Sequence, residues 1–274
     1  MSYTTKNSTK KKRAVFTYFE LLYTKFLKLV QLNFVYMICI LPLILGITYF
    51  TCLMLNISAE VIGYSQILTL LVYITELIPI YILVPLFIAS AIFYGPLTAG
   101  LTFCVRNMVT RKAFWISDLF TKAKSNFKQS LIFGLIDIFV ILCCVLYCSM
   151  ELGEGLNFYN AIKYVAIFVA VLYFFMRFYI YTMVVTFDLS IKNILTNARL
   201  FVVLGFFKNL LATLIGAVIA ISFISTPIID IVLFATLYFS LCRFSAVFST
   251  YPVIDEYILR PQKKKTTENE TTFK

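Results

Sequence analysis

The stretch LVQLNFVYMICILPLILGITYFTCLM, residues 29–54, holds no charged side chain. A bilayer core is crossed by roughly 20 predominantly apolar helical residues, so this run is long enough to span one. It also exceeds the roughly 7–15-residue apolar core of a secretory signal, which predicts a retained helix and not a cleaved leader. Five further predominantly apolar runs, each with one or two charged residues, follow at about 71–104, 130–150, 161–184, 205–225 and 231–250. Together they predict an all-α integral membrane protein with six transmembrane helices.

Composition agrees with lipid as the main solvent. Of 274 residues, 61% are hydrophobic and 14% charged, where a soluble domain carries about 45–50% and about 25%. A mean hydropathy of +0.90 leaves too few polar side chains to cover a water-facing surface. The balance of 24 Lys and Arg against 13 Asp and Glu gives a net charge of +11. Because the basic residues abut apolar runs, they point to membrane topology and anionic headgroups, and no nucleic-acid partner is expected.

The basic residues also orient the chain. The N-terminal tail (1–13, ending in KKKR), the 106–129 segment, the 188–204 segment and the C-terminal tail (262–274) are rich in Lys or Arg. The intervening loops hold Glu60, Glu151, Glu154 and Asp230 with Lys163 alone. Six crossings of a membrane domain at 14–261, with both termini cytoplasmic, satisfy every loop at once.

Three amphipathic helices are expected on the cytoplasmic side. The first, before residue 29, sets Val15, Phe19, Leu22 and Phe26 against Glu20, Thr24 and Lys28, and is expected to lie on the membrane and then turn in. The second lies within 106–129, with Ser117 or Asp118 able to cap it and Trp115, the one tryptophan, on its apolar side as an interfacial anchor. The third follows a cap at Asp188 or Ser190, with Ile191, Leu195, Ala198 and Val202 on one face. In the second span, Pro79, Pro85 and Pro96 predict a kinked helix.

Enzymatic chemistry finds little support. There is no histidine, the commonest general base and metal ligand, and no C-x-x-C pair among the seven cysteines. No phosphate loop, zinc spacing or nucleophile–base pair is visible, so no enzyme activity, cofactor or metal is expected. Ionisable residues inside spans are the stronger candidates, since burying each costs about 2.5–3.5 kcal/mol on insertion scales. Asp137, Arg177 and Arg243 each lie about seven residues from the inner end of a span, roughly 10 Å deep. They predict an intramembrane cluster with Asp137 bridging Arg177, Arg243 or both, either as a structural ion pair or as the polar site of a small transporter or channel. The run Gly95, Pro96, Thr98, Gly100 allows either close helix packing or a ligand cavity. Arg106 and Asn107 just beyond it are read as inner-face anchors or contacts to a partner.

The segment GPLTAGLTFCVRNMVTRKAFWISDLFTKAKSNFKQS, Gly95 to Ser130, resembles the core of the YesL-like bacterial membrane proteins. FLKLVQLNFVYMICILP (Phe26–Pro42), FDLSIKNILTNA (Phe187–Ala198) and FSTYPVIDEYILRP (Phe248–Pro261) are similar to its first span, its later amphipathic helix and its C-terminal end. The matching positions include Gly95, Pro96, Thr98, Gly100, Arg106, Asn107, Trp115, Asp118, Asn126, Asp188 and Pro252. The resemblance implies a multi-span protein of a bacterial cytoplasmic membrane, encoded near carbohydrate-uptake systems and without an established activity. It supports an accessory or regulatory component whose partner is a sugar-uptake transporter or another membrane protein.

Overall fold

The computed structural model describes residues 14–55, 66–149, 158–222 and 227–261. Both tails, the loops holding Glu60, Glu151 and Glu154, and the side chains of Lys163 and Asp230 lie outside the described residues. Within them the chain is helical: α1 (Ala14–Leu55), α2 (Gln66–Leu77), α3 (Ile80–Val109), α4 (Asp118–Ser125), α5 (Phe127–Ser149), α6 (Phe158–Val184), α7 (Ile191–Leu204), α8 (Phe206–Ser222), α9 (Pro227–Thr236) and α10 (Tyr238–Ile254), with a π-helical turn at Asp255–Leu259. Four helices, α1, α3, α5 and α6, are long and apolar enough to cross a membrane, and the α7–α8 pair, bent by 86°, adds a fifth if it counts as one broken crossing.

Three elements differ from the sequence expectation. The expected turn between the first amphipathic segment and the first span is absent: α1 is one helix of 42 residues with Pro42 inside it. At 1.5 Å per residue it is roughly 63 Å long, about twice the thickness of a bilayer core. Its N-terminal part is held by protein contacts, with Tyr18 Oη 2.8 Å from Ser245 Oγ and Glu20 3.3 Å from Arg111. The expected second helix over 71–104 is divided at Ile78–Pro79 into α2 and α3, because the extended backbone of Pro79 (ψ 138°) cannot continue a helix. Pro85 and Pro96, by contrast, sit inside α3 without breaking it. The expected sixth span is interrupted at Leu237, between α9 and α10.

The second amphipathic helix is also shorter than expected. Helix α3 continues through Arg106, the chain turns at Arg111 (φ 57°), and only Asp118–Ser125 is helical. Asp118 starts it by accepting the Trp115 backbone N–H at 2.8 Å, half of a capping box, while Ser117 makes no side-chain cap. For α7 the cap is Ser190, whose Oγ accepts the Asn193 N–H at 3.4 Å; Asp188 is exposed. The buried face of α7 is Ile194, Ala198, Phe201 and Val202.

Helix α3 is the centre of the bundle and packs against α1, α4, α5, α6 and α10. Its small residues permit this. A Cβ on Gly95 would strike the Ser130 carbonyl, and one on Gly134 would lie 2.5 Å from Gly95 Cα, so α3 and α5 cross with backbones touching. A Cβ on Gly100 would strike the Leu119 carbonyl of α4. Thr98 hydrogen-bonds Tyr36 of α1 at 2.7 Å. The small-residue run therefore serves close packing in this structure.

Candidate solute-binding cavity

Helix α6 carries Tyr173, Arg177 and Tyr181 at intervals of four, which places three polar tips on one face of an apolar helix. That face meets α5 at Asp137, whose side chain is 1% exposed. Arg177 Nε donates to Asp137 Oδ2 at 2.7 Å, Tyr181 Oη donates to the same oxygen at 2.7 Å, and Tyr173 Oη donates to Oδ1 at 2.7 Å. Arg177 also donates from Nη2 to Tyr94 Oη of α3 at 2.5 Å. Three donors on one carboxylate answer the desolvation that burial imposes on it.

The structure brings Arg243 of α10 to the same layer but not to the carboxylate. Its Cζ lies 5.3 Å from the centre of the Tyr181 ring, and Arg177 Cζ lies 5.4 Å from it. Among the described residues Asp137 therefore pairs with Arg177 alone. Arg243 is 8% exposed, and among the described residues no carboxylate or hydrogen-bond acceptor contacts its guanidinium. Both arginines line a cavity of about 420 Å³. Tyr36 and Tyr94 bound it from α1 and α3, Phe174 and Phe178 from α6, Thr213 and Ala217 from α8, and Phe239 and Cys242 from α10. Phe174 and Ala217 are exposed, so the cavity reaches the outer surface between α6 and α8.

The helix that supplies Arg243 starts at a break. Leu237 leaves helical geometry (φ −139°, ψ −27°), which frees carbonyls at the end of α9 and an N–H at the start of α10. Asn33 of α1, fully buried, answers them. Its Nδ2 donates to Phe234 O at 3.2 Å and Ala235 O at 2.8 Å, and its Oδ1 accepts from Ser240 N at 3.0 Å. Broken helices at membrane depth persist where a side chain re-satisfies the backbone in this way. The first turn of α10, Tyr238 and Phe239, lines the cavity.

A second amide holds the corner between α7 and α8. Tyr179 Oη donates to Asn209 Oδ1 at 2.7 Å, and Asn209 Nδ2 donates to Val202 O at 3.2 Å. A Cβ on Gly205 would collide with the Tyr179 hydroxyl, so the glycine leaves room for this hydrogen bond, while its backbone (φ −103°) is one that any residue adopts.

The remaining sequence candidates lie away from the cavity. Arg106 donates to Val185 O at 2.7 Å and Thr186 Oγ1 at 3.1 Å, and to Asn107 Oδ1 at 3.0 Å, tying α3 to the end of α6. The side chain is half-buried and these hydrogen bonds are all within the protein. Trp115 is 78% exposed. Asn126 closes α4 by donating to Lys122 O at 3.0 Å, and Pro252 is exposed within α10. Among the described residues no three His, Cys, Asp or Glu side chains are grouped so as to hold a metal.

Tyr94, Tyr173, Tyr181 and Asn33 were not singled out from the sequence. The four-residue spacing of Tyr173, Arg177 and Tyr181 was a usable signal, as was an amide at Asn33 in an apolar run. Comparison with protein families, curated proteins and solved structures gives no match to this chain.

Proposed function

We propose that the protein is a non-enzymatic multi-pass membrane protein that binds a small solute in the cavity between Arg177 and Arg243 and passes it across the membrane. Arg243 carries the reading. A guanidinium buried for structure alone is expected to have a partner, as Arg177 has Asp137, because an unpaired buried ion costs several kcal/mol. Arg243 has the Tyr181 ring beside it but no carboxylate among the described residues, and it lines a cavity of about 420 Å³, a size typical of small-molecule sites. Ionisable side chains that face a cavity inside a membrane bundle commonly mark a solute or ion path.

In this reading α1, α3, α5, α6, α8 and the broken α9–α10 pair make six crossings. The basic segments and both termini lie in the cytoplasm, and α4 and α7 rest at the inner surface beside anionic headgroups. A bacterial cytoplasmic membrane and an association with carbohydrate uptake follow from the YesL-like resemblance alone. Copurification from native membranes tests that association, with a transporter subunit as the expected companion.

The solute reading is tested in liposomes containing the protein alone. Solute flux is expected from the wild type and its loss from Ala246→Phe, which fills the cavity from the buried side chain of α10. Equal behaviour of the two proteins, in flux and in ligand-induced thermal shift, overturns it. A reporter fused at Phe120 is expected on the cytoplasmic side, and an external signal there overturns the topology.

A further inference from the structure

We infer that the cavity takes an apolar monocarboxylate, with the carboxylate on Arg243 and Tyr94 and the organic body among the aromatic walls. This deepens the reading of the cavity as a solute site and rests on it. Charge sets the valence. The layer holds two guanidinium groups and one carboxylate, and Asp137 is committed to Arg177 at 2.7 Å. One positive charge is left, so a single negative charge neutralises it. A phosphate of roughly −1.5 to −2 would overshoot in a medium where excess charge is expensive.

Hydrogen bonding sets the group. The planar fork of Arg243 presents paired N–H donors that match the two oxygens of a carboxylate. Tyr94 adds a third donor: its hydroxyl accepts from Arg177, and its own proton has no acceptor among the described residues. The walls set the rest of the molecule. Leu101, Phe174, Phe178 and Phe239 offer no hydrogen bond, the hydroxyls of Tyr36 and Thr213 are already bonded to Thr98 and the Asn209 carbonyl, and among the described residues no carboxylate or amide side chain lines the cavity. A neutral sugar needs many donors and acceptors, and each hydroxyl left unmatched here loses its bonds to water. An aromatic or branched aliphatic body loses nothing by entering. The volume corresponds to roughly fourteen waters at about 30 Å³ each, which admits an acid of up to about a dozen non-hydrogen atoms.

Such an acid has two sources, the aqueous phase or the fatty acids of the bilayer. The experiment uses the full chain purified in detergent, with binding followed by calorimetry and thermal shift. Benzoate is compared with benzamide, inorganic phosphate and glucose, and then with saturated carboxylates from butyrate to dodecanoate. Benzoate is expected to bind at least tenfold more tightly than benzamide or phosphate. Arg243→Gln should erase that preference and Tyr94→Phe should weaken benzoate several-fold. Arg243→Lys keeps the charge without the fork and should retain the preference at lower affinity, which guards against a folding defect in the Gln variant.

Affinity that stops rising near eight carbons assigns the aqueous source, and affinity that climbs through dodecanoate assigns the bilayer; both outcomes support the carboxylate. Phosphate binding more tightly than benzoate, or a benzoate preference untouched by Arg243→Gln, overturns the inference, as does a failure of every carboxylate to bind. Glucose binding that Ala246→Phe blocks and Arg243→Gln spares also overturns it, while leaving the solute site standing.

Discussion

Replacing either arginine of the cavity by methionine removes one positive charge and keeps most of the side-chain volume, yet the two substitutions should change stability in opposite directions. Arg177→Met strands Asp137, whose side chain is 1% exposed and whose only ionic partner among the described residues is the guanidinium at 2.7 Å. Breaking one side of a buried pair costs about 3–5 kcal/mol. Arg243→Met strands nothing among the described residues. It removes an ion whose burial costs several kcal/mol, offset by an attraction to the Tyr181 ring of up to about 2 kcal/mol, so the unliganded protein should gain about 1–2 kcal/mol. Unfolding of the purified protein by SDS in mixed micelles, followed by far-ultraviolet circular dichroism, separates the two: the midpoint should fall for Arg177→Met and rise for Arg243→Met. A fall of equal size for both would refute the reasoning, because it would mean that Arg243 has a structural counter-charge. Saturating ligand should stabilise the wild type and leave Arg243→Met unmoved, since only a form that binds gains from mass action.

The coupling of Asp137 to Arg177 should appear in a double-mutant cycle with Asp137→Asn and Arg177→Gln, with the double variant more stable than the sum of the singles by about 1–3 kcal/mol; strict additivity in the SDS titration would dismiss the pair. Asn33→Leu removes three hydrogen bonds at the break between α9 and α10 and leaves backbone groups buried without partners, so a loss of about 2–4 kcal/mol is expected, read from the same titration. Gly134→Val should reduce folded yield more severely than any surface substitution, because its side chain would occupy the backbone of Gly95, and monodispersity on gel filtration checks this. Tyr179→Phe should loosen the α7–α8 corner by about 1 kcal/mol, detectable as faster hydrogen exchange in Val202–Asn209.

The apolar runs, the helical class, the basic segments and the trio Asp137, Arg177 and Arg243 were legible in the sequence. Hydropathy is a local sum along the chain, and depth within a helix is a count of residues at 1.5 Å each. Helix ends were less legible. Pro79 broke a helix and Pro85 and Pro96 did not, although the residue type is the same, so proline alone does not mark where a helix ends. The continuity of α1 was hidden for a similar reason: its amphipathic start reads as an interfacial helix until Tyr18 and Glu20 are seen against α10 and the turn after α3.

Only the tertiary structure decided which arginine received the carboxylate. Equal depth places both within reach of Asp137, and the rotation of α5, α6 and α10 about their own axes chooses between them, a quantity that no pattern in one helix encodes. The same holds for the break at Leu237, which has neither glycine nor proline beside it. Its freed backbone groups are satisfied by Asn33, which bonds Ser240 from 207 residues away in the chain, a partner that no local pattern reveals.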